Sequence, residues 1–364
     1  MTIAFPGFRS THCVRFRFRY SECRRCADAC PHDAVALSDT GIGIDEARCQ
    51  NCGLCISACR TGALVSENLP RIDLLRQAVR QSAFSIACAP SQQTGDAVVP
   101  CLGALDGVML AYLAKRQIPV ELRGSHFCPD CPHGKKGADQ LALNLDGVQT
   151  LRAGARREEW GEIRLPLPEG TSSATGPCVR PGRRQLFRRL VGRGIDAVAG
   201  EKRLAKGEPV ADQAIRAGPY VFTDQRELLG IVAKLPEAGE FPVARHAALP
   251  LMEIELADGC TACEACFRAC PTSAITLEES PTSWALAFRA DRCVGCEVCV
   301  EVCQPGVLRS AEAVDAGPDH PRRTLHQLSK QRCARCDRFF VSREPGELCA
   351  ICFDDEEAFG QIFG

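Results

Sequence analysis

The 364-residue sequence has no long apolar run and no excess of charge of one sign. It holds no stretch of about 18 apolar residues that could span a membrane, and its N-terminus "MTIAFPGFRSTHC" has no apolar signal core. The formal net charge of −1 excludes a global field that favours nucleic acid or membrane. We therefore expect a cytoplasmic protein without a membrane span.

Motifs for two-electron chemistry on a substrate are also missing. The sequence has no G-x-G-x-x-G after a strand, no P-loop and no H-E-x-x-H. Because there is neither a dinucleotide fingerprint nor an evident place for a flavin, we expect no independent catalytic site in this chain.

Cysteine is abundant, with 25 positions. In a reducing, intracellular compartment this number favours metal ligation over disulfides. The cysteines fall in groups of four, and the groups repeat. "CRRCADACPHDAV" and "CQNCGLCISACRTGAL" correspond to "CTACEACFRACPTSAI" and "CVGCEVCVEVCQPGVL", which lie later in the chain. The pattern indicates a duplicated module.

The later copy contains two complete C-x2-C-x2-C-x3-C runs. Three thiolates two residues apart line a tight loop that can hold three irons of a cubane. Zinc on tetrathiolate sites is the alternative. Residues 258–310 resemble a bacterial two-[4Fe–4S] ferredoxin module, in which the fourth cysteine of each run crosses to the other cluster. Gln304 separates the last cysteine of the second run from Pro305, a slight departure from that family.

The ferredoxin resemblance implies two [4Fe–4S] clusters in this later copy. One ligand group, here named set 3, is Cys293, Cys296, Cys299 and Cys270. The other, set 4, is Cys260, Cys263, Cys266 and Cys303.

Residues 12–66 resemble the same module with one departure. The resemblance implies a [4Fe–4S] cluster on set 2, which is Cys49, Cys52, Cys55 and Cys30. It implies another on set 1, which is Cys23, Cys26, Cys59 and a fourth ligand. Tyr20 stands where that fourth ligand belongs, and Cys13 is the nearest spare cysteine.

We predict that Cys13 completes set 1. The alternation of residues 14–20 predicts a β-strand with an arginine face. A turn after that strand would bring Cys13 back towards the cluster. The alternative is a three-iron cluster or an open iron, with Cys13 simply packed.

The central part of the chain has a different composition. "FSIACAP" and "IPVELRG" predict apolar strands, and "LGALDGVMLAYLAKR" predicts an amphipathic helix between them, as in a small α/β domain. The run from "VPCLGALDG" to "CPDCPHGKKG" resembles the small delta subunit of methyl-viologen-reducing-type hydrogenases. That resemblance implies a [2Fe–2S] site on the central set, which is Cys88, Cys101, Cys128 and Cys131. The alternative is a turn at Cys128-Pro-Asp-Cys131 that is only structural or binds zinc.

The C-terminal cysteines form two C-x2-C pairs, which resemble a zinc ribbon or, more loosely, a rubredoxin. The predicted zinc ligands, here the ribbon set, are Cys333, Cys336, Cys349 and Cys352. A short ribbon needs a metal in place of a core.

Between the modules, residues 183–200 predict a helix with an arginine-rich side. This side could dock on an acidic partner or an anionic membrane surface, or it is merely solvated.

The predicted fold class is α+β multidomain. We expect five parts in chain order. They are a dicluster ferredoxin module (residues 1–70), a small α/β domain (71–152), a linker with a basic helical segment (153–245), a second dicluster module (246–315) and a zinc-ribbon-like tail (316–364). Residues 1–70 are named the first module below, and residues 246–315 the second module. The expected cofactors are four [4Fe–4S] clusters, one [2Fe–2S] cluster and one zinc.

These features predict an electron-transfer subunit or adaptor. It would pass single electrons between a catalytic oxidoreductase and another redox partner. By resemblance, the catalytic partner is a hydrogenase, a formate dehydrogenase or another molybdoenzyme. One alternative is a maturation or chaperone factor for a molybdoenzyme. The other is a nucleic-acid-associated iron–sulfur protein, against which the net charge speaks. We expect no nucleic-acid partner and leave peripheral membrane contact open.

Overall fold

The computed structural model of this protein describes both cysteine-rich modules, the central segment and the ribbon. The described residues are 5–155, 159–166, 212–216, 218, 221, 223–234, 240–317 and 322–355. No helix among them is both long enough and apolar enough to cross a lipid bilayer. The predicted basic helix over 183–200 and the lone Cys178 lie outside the described residues.

The first module is built of short elements. Its ends meet where two short strands, Gly7–Phe8 and Leu64–Val65, pair antiparallel, and Val35–Ser38 forms a hairpin with Gly41–Ile44. Its helices are about one turn long and span Val14–Arg17, Arg25–Asp28 and Leu54–Ala58. Elements this short bury little apolar surface, and cysteines belong to the buried clusters that they form.

The predicted strand over residues 14–20 is wrong, because Val14–Arg17 forms a helical turn. Its arginines do not make an exposed face: Arg15 is 3% exposed and Arg17 is 1% exposed. Arg15 donates a hydrogen bond to the carbonyl of Ser21 at 2.6 Å, and Arg17 donates to a carbonyl of the preceding turn at 2.9 Å. Alternation over so few residues does not separate a strand from a helical turn whose charged groups find buried acceptors.

The central segment forms a parallel sheet of four strands. Their spatial order is Ala97–Val99, Phe84–Cys88, Val120–Arg123 and Ile163–Arg164. The two strands predicted from the apolar runs are thus confirmed. The sheet is accompanied by helices Arg71–Ala78, Gly107–Lys115 and Gly134–Gly154. Since the carboxyl ends of parallel strands share one edge of a sheet, Cys88 and Cys101 come to the same edge.

The helix Gly107–Lys115 is more buried than its predicted amphipathic character implies. Val108, Leu110 and Leu113 are all fully buried. Asp106 caps the helix by accepting a hydrogen bond from the Met109 amide at 3.0 Å. Helices Gly134–Gly154 and Asp224–Val232 pack on further sides of it. The second of these neighbours lies far along the chain and could not be predicted from the sequence pattern.

The second module and the ribbon share one antiparallel sheet. Its strands, in spatial order, are Ile275–Glu279, Ser283–Phe288, Arg323–Arg332 and Phe339–Ser342. Two further strand pairs are Ile254–Leu256 with Leu308–Ser310 and Pro242–Ala244 with Ala313–Asp315. The helices of this module are Ala265–Ala269 and Val298–Glu301. The ribbon is therefore joined to the second module by main-chain hydrogen bonds.

Candidate metal centres

The second module brings together the cysteines of sets 3 and 4. Burial raises the pKa of Cys293 to about 12, and negative charge on Cys270 raises it further. Likewise, burial raises the pKa of Cys266 to about 12, and Cys303 is among the thiols whose charge adds to it. In each case the fourth cysteine of one run lies near the first three of the other run, as in the crossed ferredoxin pattern.

Left-handed backbone folds the loops so that these thiols converge. Glu264 and Glu297 have φ values of +61° and +69° and stand at the start of the two short helices of the second module. Gly295, at φ +62°, donates its amide to the Cys293 Sγ at 3.4 Å. In the first module, Asn51 adopts the same conformation, with φ +52°. Successive amides then point into the loop, where they can stabilise negative charge on sulfur.

Set 2 is gathered in the same way. Burial raises the pKa of Cys52 to about 11, and charge on Cys30 raises it further. The Cys30 Sγ accepts a hydrogen bond from the Ala34 amide at 3.3 Å. Burial also raises the pKa of Cys55, and negative charge on Cys52 raises it further. The structure thus places Cys30, from the first run, with the cysteines of the second run.

Cys13 lies with the other members of set 1. One cavity is lined by all four thiols, those of Cys13, Cys23, Cys26 and Cys59. Cys13 is buried, and burial together with charge on Cys59 raises its pKa. The route that brings it there differs from the predicted strand, because Cys13 sits between the 3₁₀ turn Ser10–His12 and the helix Val14–Arg17.

The central set also surrounds one cavity, lined by Cys88, Cys101, Cys128 and Cys131. Glycines allow the backbone to approach these thiols closely. Gly124 has φ +100°, and a Cβ there would lie 2.9 Å from the Cys88 Sγ. A Cβ at Gly137 would lie 3.2 Å from the Cys101 Sγ. Any side chain at Gly124 would therefore both strain the backbone and intrude on the site.

The ribbon set has the spacing of a single-ion site. All four Sγ atoms lie within 4.8 Å of one another, and the Sγ atoms of Cys336 and Cys349 are 3.8 Å apart. A tetrahedral zinc with Zn–S bonds of about 2.3 Å requires sulfur atoms about 3.8 Å apart. Amide hydrogen bonds, first from Cys336 and then from Cys349, lower the pKa of Cys333 to about 6. These residues fit zinc.

The other sets are spaced differently. Within the described ranges, the groups of three or more ligand atoms that all lie within 4.8 Å of one another are the ribbon set and the trio His32, Cys52 and His133. Set 1 and the central set instead surround cavities. Thiolates spread around a space wider than one ion fit an iron–sulfur cluster, whose irons and sulfides separate the ligands.

Arg60 is a buried cation that the sequence did not single out. It follows Cys59 directly and is only 6% exposed. Its guanidinium donates hydrogen bonds to the carbonyls of Ala247 at 2.8 Å, His246 at 3.1 Å and Gly295. Burial lowers its pKa to about 10. One signal in the sequence could have pointed to Arg60. In the other three cysteine runs, the fourth cysteine is followed by proline directly or after one residue, whereas Cys59 is followed by Arg60 and no proline.

A histidine pair lies between set 2 and the central set. His32 Nε2 and His133 Nδ1 share a hydrogen bond of 3.1 Å, and His133 is buried. Burial and then positive charge on His32 lower the pKa of His133 to about 4. Each histidine stands two residues beyond a cysteine of its own set, so the contact joins the two sites. No motif in the sequence pairs these two residues, which are 101 positions apart.

A family model for the 4Fe-4S dicluster domain matches the chain at two places, residues 21–63 and 259–307. Comparison with curated proteins and with solved structures gives no match. The two matched segments contain all of sets 2, 3 and 4 and every member of set 1 except Cys13. The predicted duplication of a dicluster module is thus confirmed. These domains indicate an iron–sulfur electron-transfer protein.

Proposed function

We propose that this chain is a multi-cluster iron–sulfur subunit or adaptor that passes single electrons between a catalytic oxidoreductase and another redox partner. The observation that supports the proposal is the cavity that Cys13 lines together with the other three thiols of set 1. Each ferredoxin-type set then offers four thiolates. A cluster with four thiolate ligands has no iron open to substrate, so it supplies one-electron transfer when bound.

The cofactor assignment follows from the spacing of each set. Sets 1 to 4 would each hold a [4Fe–4S] cluster, and the ribbon set would hold zinc. We assign the central set to a [2Fe–2S] cluster because its four thiols line one cavity yet do not have the single-ion spacing of the ribbon set. Its resemblance to the delta subunit of methyl-viologen-reducing-type hydrogenases agrees with this assignment.

The protein itself supplies burial and hydrogen bonds. Burial raises the pKa of thiols such as Cys26 and Cys101 to about 12, so the metal-free protein holds them protonated at neutral pH. Cluster assembly must therefore displace protons. In the assembled protein, amides such as Ala63, whose N–H donates to the Cys59 Sγ at 3.3 Å, stabilise the negative charge and tune the reduction potential.

The partners that fit this function are redox proteins. By resemblance of the central segment, we propose a hydrogenase, a formate dehydrogenase or a related molybdoenzyme as the catalytic partner. The electron balance is simple, since the donor loses one electron and the acceptor gains it, while this chain returns to its starting state.

Metal analysis combined with a reductive titration tests the proposal. After strictly anaerobic purification we expect about 18 irons, matching acid-labile sulfide and one zinc per chain, with uptake of about five electrons. About 16 irons and four electrons would exclude the central cluster but remain consistent with the proposed electron transfer. Well below 12 irons, with several zincs, would overturn the electron-transfer proposal.

A further inference from the structure

The two dicluster modules meet at sets 1 and 3. Cys296 of set 3 lines the same cavity as the four thiols of set 1. Cys23 of set 1 and Cys296 of set 3 also pack against one buried apolar cluster. Val14 and Phe18 of the first module share one buried apolar cluster with residues of the second, including Ala269 and Val298. Sets 1 and 3 are therefore neighbours across the contact between modules.

The central set meets the first module at set 2. Cys52 and Cys101 belong to one small buried cluster. Lys136 Nζ donates to the Cys30 carbonyl at 2.7 Å, alongside the histidine contact described above. Set 2 is therefore the neighbour of the central set.

Inside each module the crossed cysteines place the two sets side by side. In the first module, Cys26 of set 1 packs against the buried apolar cluster that contains Cys55 of set 2. In the second, Cys266 of set 4 packs against the buried cluster that contains Cys293 and Cys299 of set 3. These contacts supply the two remaining links.

We infer that the five cysteine sets stand in a single line, in the order central set, set 2, set 1, set 3, set 4. The inference rests on the proposed function and adds to it the order of the sites and the identity of the two ends. Because the sheet of the central segment lies between the modules in sequence, its cysteines would be expected to bridge them. The contacts instead join the modules directly and leave the central set at one end.

Exposure agrees with this choice of ends. Cys263 of set 4 is exposed, whereas no cysteine of sets 1, 2 and 3 is. At the other end, Cys88 and Cys101 are buried, but Cys128 and Cys131 are half-buried, and Phe127 beside them is 42% exposed. Electron transfer weakens steeply with distance, so a redox protein exchanges electrons most readily with a site near the surface. Exchange with the donor and the acceptor therefore takes place at the central set and at set 4.

Deleting one end at a time tests the order by electron paramagnetic resonance of the reduced holoprotein. The relaxation of each cubane signal depends on its nearest paramagnetic neighbours. Cys128→Ser removes a central ligand and Cys263→Ser removes a ligand of set 4. Cys178→Ser is the matched control, because Cys178 belongs to no set. Iron is counted in every variant, and Cys131→Ser replaces Cys128→Ser if the latter does not accumulate.

We expect Cys128→Ser to lose about two irons and to slow the relaxation of one cubane several-fold. Cys263→Ser should slow the relaxation of a different cubane, and the control Cys178→Ser should leave the relaxation of every cubane unchanged. A central deletion that alters cubanes of both modules, or of neither, overturns the linear order. These outcomes are distinct from failure of the proposed function, in which the wild-type protein holds no full complement of reducible clusters.

Discussion

Replacing Arg60 by methionine tests how the two modules are held together. The change removes hydrogen bonds to the carbonyls of Ala247, His246 and Gly295. Three bonds from a charged donor contribute about 6 kcal/mol. Against this, burial lowers the pKa of Arg60 from 12.5 to about 10, which corresponds to about 3 kcal/mol of desolvation cost for the charged form. We therefore expect Arg60→Met to lower the free energy of unfolding by about 3 kcal/mol.

The assay is anaerobic urea unfolding, followed by the visible absorbance of the clusters and by circular dichroism. Arg60→Met should move the first transition to lower urea. The urea midpoint of Arg60→Lys should lie between those of Arg60→Met and the wild type, because lysine keeps the charge but loses the planar fork of donors. Arg76→Met is the control: the Arg76 side chain is 70% exposed and pairs, among the described residues, with the equally exposed Asp73, so its change should stay within about 0.5 kcal/mol.

A second readout separates electrostatics from packing. Arg60 places a buried positive charge between Cys59 of set 1 and the Gly295 loop of set 3, which should stabilise the reduced, more negative clusters. Arg60→Met should therefore lower the reduction potentials of two cubanes, whereas Arg60→Lys should restore them in part. If Arg60→Met and Arg76→Met unfold at the same urea concentration with unchanged potentials, the reasoning about this contact is wrong.

Four further changes have defined outcomes. Cys13→Ser should cost one iron per chain and produce a three-iron signal on oxidation, and an unchanged four-iron spectrum would exclude Cys13 as a ligand. Gly124→Ala should remove about two irons, whereas Gly230→Ala, at a helical site with open space around it, should stabilise the protein by about 0.5–1 kcal/mol. Cys349→Ser should abolish zinc binding while metal analysis finds the iron unchanged. Burial raises the pKa of the Glu301 carboxyl above 4.5. The stability that this carboxyl contributes is therefore complete below pH 4.5 and is lost as the pH rises through its pKa in the folded protein. Glu301→Gln should abolish this pH dependence in urea midpoints measured across that range.

The convergence of the cysteines within one loop could be predicted from the sequence because it is a local property. Three cysteines at two-residue intervals occupy one loop, so their spacing alone determines that they converge. The same holds for the ribbon set, in which each pair of cysteines is two residues apart. The apolar runs "FSIACAP" and "IPVELRG" were equally informative, because a short, continuous apolar stretch between turn residues is typical of a buried strand.

Long-range contacts could not be predicted in this way. Nothing in the sequence around Arg60 indicates that its acceptors lie near residues 246 and 295. Hydrophobic periodicity reports which face of an element is buried, but it does not say against what. The same limit explains the helix Gly107–Lys115, whose burial on several sides depends on elements far along the chain. The order of the five sets belongs to this class of property.

The contact between modules also gives a reason why set 1 lacks a cysteine at residue 20. Tyr20 occupies the place of the missing cysteine, and it packs with Phe18, ring centroids 5.9 Å apart, against the apolar cluster shared with the second module. The next residue, Ser21, donates a hydrogen bond to Glu301 of that module at 2.7 Å. This stretch of chain therefore serves the interface, and a thiol at residue 20 would give up that packing. In the proposed assignment Cys13 supplies the fourth thiolate of set 1, so the cluster would keep four thiolates while the modules remain in contact.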